Sequence, residues 1–186
     1  VAQLFFADNT VLVNFGLIDR LDLLERVLNG KGRWCASIET ECIRSSIRPE
    51  LSALDDVPRI LGSPLVPTQA ERIRALILRE QLSAPGDERT AHFGEAETLA
   101  VMENRYASDL LLTDDGGARN LAGQLNIKVV STWKLLAAVT RLKWVQCEEM
   151  LDHLDLLGNH KRGGPRPSSV GELRQWAGMP PAPVTE

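Results

Sequence analysis

The chain has 186 residues, 44% of them hydrophobic and 25% charged, with a formal net charge of −4. That balance suits a globular protein with one buried core and an appendage, and it argues against a protein that coats nucleic acid electrostatically. No stretch approaches the length of a membrane span, and VAQLFFADNT lacks a basic leader and reads as a strand, so cytoplasmic residence is the expectation.

In chain order, LFFAD (4–8) reads as a buried strand, followed by a helix through VLVNFGLI and a second helical piece, IDRLDLLERVL, that ends at Asn29 and Gly30. GRWCAS is a second short strand, and Ile38, Cys42 and Ile43 recur at helical spacing, predicting a helix over 38–47. Pro49, Pro58, Pro64 and Pro67 break the next region into turns, with SPLVPT as a brief strand. TQAERIRALILREQL is the clearest amphipathic helix, with Ile73, Leu76, Ile77 and Leu82 expected on its buried side. APGDERTAH is a loop, EAETLAVMENRYA a helix opened by Gly94, and SDLLLTDD an apolar strand running into acids. GARNLAGQLNI, KVVST and TWKLLAAVTRL then read as helix, strand and helix.

This alternation predicts an α/β three-layer sandwich, a central mainly parallel sheet flanked by helices, over 1–150. From 151 the chain turns rich in Gly, Pro and basic residues, so 151–186 is expected to be a short C-terminal extension: a loop at 159–169, a short helix at 169–177 bearing Val170, Leu173 and Trp176 on one side, and a tail. Cys35, Cys42 and Cys147 show no CxxC spacing and an odd count, which reads as buried thiols in a reducing compartment. His92, His153 and His160 are scattered, which argues against zinc.

Four acidic stations remain: Asp8 at the end of the first strand, Glu41 in SIETECI, Glu95 in HFGEAETLAV, and Asp114 with Asp115 after the late strand. Each has a plain explanation. Asp8, Asp114 and Asp115 could cap helices, Glu95 and Glu97 could complement a helix dipole, and Glu41 could be a solvated helix residue. Capping does not explain why acids end the two most apolar strands, the place where parallel sheets gather functional groups. Carboxylates brought close together cannot all stay ionised without a cation, so a metal site is the sharper reading.

ADNTVLVNFGLIDRLDLLERV and HFGEAETLAVMENRYASDLLLTDDGGARNLAGQLNIKVVSTWKLL resemble the PIN domain family, and within it the branch of small prokaryotic toxin or toxin-like nucleases. The likeness covers roughly 3–146 and is only an outline over 45–90. It implies Asp8, Glu41, Glu95, Asp114 and Asp115 as catalytic residues, with Asp8, Glu95 and one of Asp114 or Asp115 on the metal. Glu39 is a neighbour of the second station, and Glu97 ranks below Glu95 because it would point away. Asn9, Thr10 and Thr113 would orient carboxylates or waters.

The resemblance further implies a metal-dependent endoribonuclease. Carboxylates and water suit Mg²⁺ or Mn²⁺, which would polarise a phosphodiester and activate a water for in-line attack. RNA is the implied substrate, an antitoxin and a second copy of the chain are the implied partners, and Arg44, Arg48 and Arg119 are candidates for steering the phosphate backbone. Trp34, Trp133 and Trp144 could stack bases, but their apolar settings favour packing. The alternatives are a catalytically silent PIN-like module that binds RNA or protein, and a response-regulator-like phosphoacceptor. The latter would need its acidic pair at the first strand.

Overall fold

In the computed structural model, which describes residues 3–88 and 91–180, the run LFFA forms strand β1 (Phe5–Ala7) inside a parallel sheet. Phe6 and Ala7 are fully buried, as suits an interior strand covered on both faces. The sheet order is β2-β1-β3-β4, with β2 at Gly32–Arg33, β3 at Leu110–Leu112 and β4 at Lys128–Val130, and every pairing is parallel. From β1 the chain builds β2 on one side and later returns to the other side for β3. The carboxyl ends of β1 and β3 therefore flank a topological switch point, where such sheets form their clefts. Register continues past the strands: Asp8 N–H donates to Leu112 O at 2.9 Å and Thr113 N–H to Val130 O at 3.2 Å. Asp8, Thr113 and Ser131 thus stand in a row along one edge.

One face of the sheet is covered by α1 (Asn9–Leu17), α2 (Leu21–Leu28), α3 (Ala36–Ser46), a 3-10 helix over Pro49–Asp56, α4 (Val57–Leu61) and, later in the chain, α8 (Thr132–Arg141). The other carries α5 (Gln69–Leu82), α6 (Phe93–Arg105) and α7 (Gly116–Gln124). This is the three-layer α/β architecture expected. Helix α2 stops where Asn29 and Gly30 both take left-handed φ, 44° and 72°, a conformation that Asn and Gly tolerate best. SPLVPT contributes a single bridge, Leu65 to Cys35. The expected tail from 181 onward, and positions 89 and 90 of the expected 84–92 loop, lie outside the described residues.

Of the apolar stripe expected to bury α5, Ile73 (56% exposed), Leu76 (53%) and Ile77 face outward, whereas Leu82 packs half-buried on the core as expected. Inward are Glu71, Ala75 and Leu78. Small Ala75 meets Ala96 and Ala100 in the same core, while Glu71 can be buried because Arg105 and Asn104 donate to its carboxylate at 2.8 and 2.9 Å and Thr68 completes a capping box with it.

The C-terminal region holds more structure than its composition suggests. Helix α9 (Cys147–Asn159) crosses residue 150 and buries Met150, Leu154 and Leu157 in the core that contains α1 and α8. Their spacing of four and three is that of a helical stripe. Helix α10 (Val170–Trp176) packs on α9 through Leu173, with Val170 and Trp176 half-buried. Among the described residues no helix is long and apolar enough to cross a membrane.

Candidate active site

Asp8 occupies the N-cap position of α1, yet its side chain makes no capping bond. Its Oδ2 accepts instead from the hydroxyls of Thr10 at 2.5 Å and Thr113 at 2.8 Å. Oδ1 is buried and, among the described residues, has no hydrogen-bond partner. Burial raises the Asp8 pKa, and the two hydroxyls offset only part of the rise.

Glu41 projects from the middle of α3 onto Gly94 in the first turn of α6. A Cβ at Gly94 would lie 2.5 Å from Glu41 Oε1 and 2.6 Å from Ile38 Cδ1, so a larger residue there would have to displace the Glu41 carboxylate and the Ile38 methyl. Burial first, then the charges of Glu95 and Asp8, push Glu41 up to about 7. Burial, followed by Asp8 and then Asp115, pushes Glu95 up to about 7 as well. Asp8, Glu41 and Glu95 are therefore near enough to act on one another's charge, and Asp115 acts on Glu95. Glu97 is engaged elsewhere: its Oε1 accepts the Ser37 N–H at 2.9 Å and closes the first turn of α3.

The two consecutive aspartates divide their work. Asp115 caps α7, its Oδ1 accepting from Ala118 N–H at 2.7 Å, and its own N–H reaches Thr113 Oγ1 at 3.1 Å. Asp114 has both oxygens engaged by other groups. Oδ1 accepts the Thr132 N–H at 3.0 Å, and Oδ2 accepts Asn14 Nδ2 at 2.9 Å together with the Thr132 hydroxyl. Asp115 is among the charges that raise Glu95.

Of the remaining sequence-derived candidates, Thr10 and Thr113 hold Asp8, whereas Asn9 donates to Ser45 Oγ at 3.2 Å on α3. Arg44 and Glu41 line one small cavity. Arg119 lines a larger one, of about 510 Å³, with Gly116, Asn120, Ser131 and Lys134 beside the Asp115 turn. Trp34 is buried and donates to Gly62 O at 2.8 Å, Trp144 lies under the Arg26 guanidinium at 3.9 Å, and Trp133 is covered by Gly164.

Sequence reasoning missed Asn14, Thr132, Lys134 and Arg162. Asn14 carried a signal: it is a polar residue in the apolar run VLVNFGLI and is fully buried. Arg162 carried none, since it sits in a stretch whose composition reads as a linker.

Among the described residues no group of three or more His, Cys, Asp and Glu is arranged closely enough to hold a metal ion as it stands. The donors nevertheless fit a hard divalent cation: all are carboxylates, two have pKa values raised to about 7, and Asp8 Oδ1 is a buried carboxyl oxygen with no hydrogen-bond partner among the described residues. A family model described as a PIN domain matches residues 4–162. No curated protein and no solved structure matches the chain.

Proposed function

Because the chain belongs to the PIN domain family, whose members are generally nucleases, we propose that it is a metal-dependent endoribonuclease. The observation that carries this reading is the buried Oδ1 of Asp8, without a hydrogen-bond partner among the described residues, at the carboxyl end of β1 and within reach of the charges of Glu41 and Glu95. Asp8, Glu95 and Asp115 are the residues that would hold Mg²⁺ or Mn²⁺. A cation held there would supply Lewis-acid polarisation of a phosphodiester and would lower the pKa of a water.

The chain's own groups do the rest. Thr10 and Thr113 bind Oδ2 of Asp8 and keep Oδ1 available. Glu41, with a pKa near 7, is poised to take the proton of an attacking water and pass it on. Arg119 and Lys134, lining the cavity beside the Asp115 turn, contact phosphates of the strand flanking the cut. The likeness of ADNTVLVNFGLIDRLDLLERV to toxin-type members supports RNA as substrate and a cytoplasmic toxin held silent by an antitoxin partner.

The test is incubation of labelled single-stranded and structured RNA with the protein in Mg²⁺, Mn²⁺ or EDTA, alongside Asp8→Asn. Cleavage is expected with either cation and neither in EDTA nor with the variant. Cleavage that persists in EDTA overturns the metal mechanism, and RNA binding without cleavage under any condition favours a silent binding module.

A further inference from the structure

Arg162 follows α9 in the Gly-Pro-basic stretch, and its guanidinium lies against α1 at the other end of the chain. Three left-handed residues shape the turn that delivers it: Lys161 at φ 56°, Gly163 at 75° and Gly164 at 88°. Arg162 N–H bonds Leu157 O at 3.0 Å. Gly164 lies so close to the Trp133 indole that a Cβ there would sit 2.6 Å from ring atoms, and Arg166 Nη2 donates to Gly158 O at 2.7 Å. The segment is therefore clamped to α8 and α9 on the C-terminal side of Arg162. From this mount Arg162 Nε donates to Asn14 Oδ1 at 2.6 Å and Nη2 to Thr10 O at 3.2 Å.

A guanidinium has donors and no acceptor. Asn14 must turn its oxygen toward Arg162, which leaves its Nδ2 to donate to Asp114 Oδ2 at 2.9 Å and to Thr132 Oγ1 at 3.1 Å. The Thr132 hydroxyl, accepting from Asn14, has its proton free for Asp114. Every donor in this chain has one direction, and Arg162 sets it. The carboxylate at the end of the chain stands between Thr113, which binds Asp8, and Asp115.

We propose that Arg162 is a positioning residue of the active site: by fixing the Asn14 amide it pins Asp114, and so places the turn bearing Thr113 and Asp115 beside Asp8. The segment beyond α9 is then a working part of the nuclease centre. This rests on the metal-dependent reading above for its activity and Mn²⁺ readouts, but the amide readout stands apart from it.

The experiment compares wild type with Arg162→Gln, Arg162→Lys and, as a control that loosens only the clamp, Arg166→Gln. Three quantities are read: Mn²⁺ affinity by calorimetry, kcat and KM on RNA, and the backbone amide resonances of residues 113–115 and 132. Arg162→Gln is expected to weaken Mn²⁺ binding and lower kcat by about 10- to 100-fold, the usual range for groups that orient metal ligands. KM is expected to stay within about twofold, because the RNA itself is not touched, as for lost transition-state interactions generally. The amides of 113–115 and 132 should shift. Arg162→Lys, which keeps one donor for Asn14, should recover part of each effect, and Arg166→Gln, which loosens the mount but keeps the Arg162 guanidinium, should weaken Mn²⁺ binding by clearly less than Arg162→Gln does. Amide shifts confined to the C-terminal segment, with Mn²⁺ affinity intact, would overturn the proposal in favour of a clamp. Raised KM with Mn²⁺ affinity intact would overturn it in favour of a phosphate contact. If wild type binds Mn²⁺ but cuts no RNA, the ribonuclease reading fails, while the Mn²⁺ and amide comparisons still decide the role of Arg162.

Discussion

Thr113 Oγ1 donates to Asp8 Oδ2 at 2.8 Å, tying the end of β3 to the end of β1, while Oδ1 of the same carboxylate is buried without a partner among the described residues. The same hydroxyl oxygen accepts the Asp115 N–H at 3.1 Å, so one threonine serves two acidic stations. Thr113→Val keeps the shape and removes both bonds. The expected cost is about 1–3 kcal/mol in urea unfolding, the range for leaving buried polar groups unpaired. RNA cleavage should fall at least about 10-fold, as when a group that orients a metal ligand is lost. A variant with unchanged stability and activity would show that Thr113 does not hold Asp8.

The contribution of Glu41 and Glu95 to the pH dependence of stability has a definite sign. Glu41 and Glu95 titrate near the ordinary 4.5 when unfolded and near 7 when folded. Between those values the folded protein binds more protons than the unfolded chain, so the metal-free protein loses stability as pH rises through that window. A divalent cation binds the deprotonated carboxylates, so its affinity should climb over the same window and reverse the loss. Melting temperatures between pH 4.5 and 8, measured in EDTA and in Mn²⁺, test this. A metal-free melting temperature that rises throughout would contradict it.

Gly94→Ala sets two effects against each other. Alanine is the better helix former by about 1 kcal/mol. Its Cβ, however, would stand 2.5 Å from Glu41 Oε1 and 2.6 Å from Ile38 Cδ1. Overpacking of that kind costs about 1–3 kcal/mol and should win. The variant is expected to be less stable in denaturant titration and to lose activity through displacement of Glu41. A gain in stability would show that the α3–α6 contact yields easily.

Asp114 and Asp115 should separate by stability. Asn replaces Asp well as an N-cap, so Asp115→Asn should keep the fold within about 0.5 kcal/mol while abolishing RNA cleavage. Asp114→Asn turns an acceptor oxygen into a donor facing Asn14 and Thr132, which already donate to it. It should cost about 1–3 kcal/mol in unfolding experiments. The opposite ranking would exchange the two roles.

What the sequence made legible follows from the range over which each signal acts. Strand ends and helix starts are local, so LFFAD, LLLTDD and the Asn29–Gly30 stop fell where expected, and with them the acids at the sheet edge. The inner face of α5 was misread because most of its apolar stripe faces outward. Burial of Glu71 depends on Arg105 and Asn104, which lie more than thirty residues away and cannot be read from periodicity. The division between Asp114 and Asp115 was hidden for the same reason: Asn14, Thr132 and Arg162 meet only in three dimensions. Helix α9 was readable from Met150, Leu154 and Leu157, but its Gly- and Pro-rich sequel obscured it.

The measurement that bears hardest on this account is calorimetric titration of Mn²⁺ into wild type and Asp8→Asn at a pH well above 7, where Glu41 and Glu95 are mostly deprotonated. Saturable binding to wild type is expected, with its loss in Asp8→Asn and no loss of fold by circular dichroism. Absence of binding to wild type, or binding that Asp8→Asn retains at equal affinity, would contradict the assignment of the pocket as a metal centre.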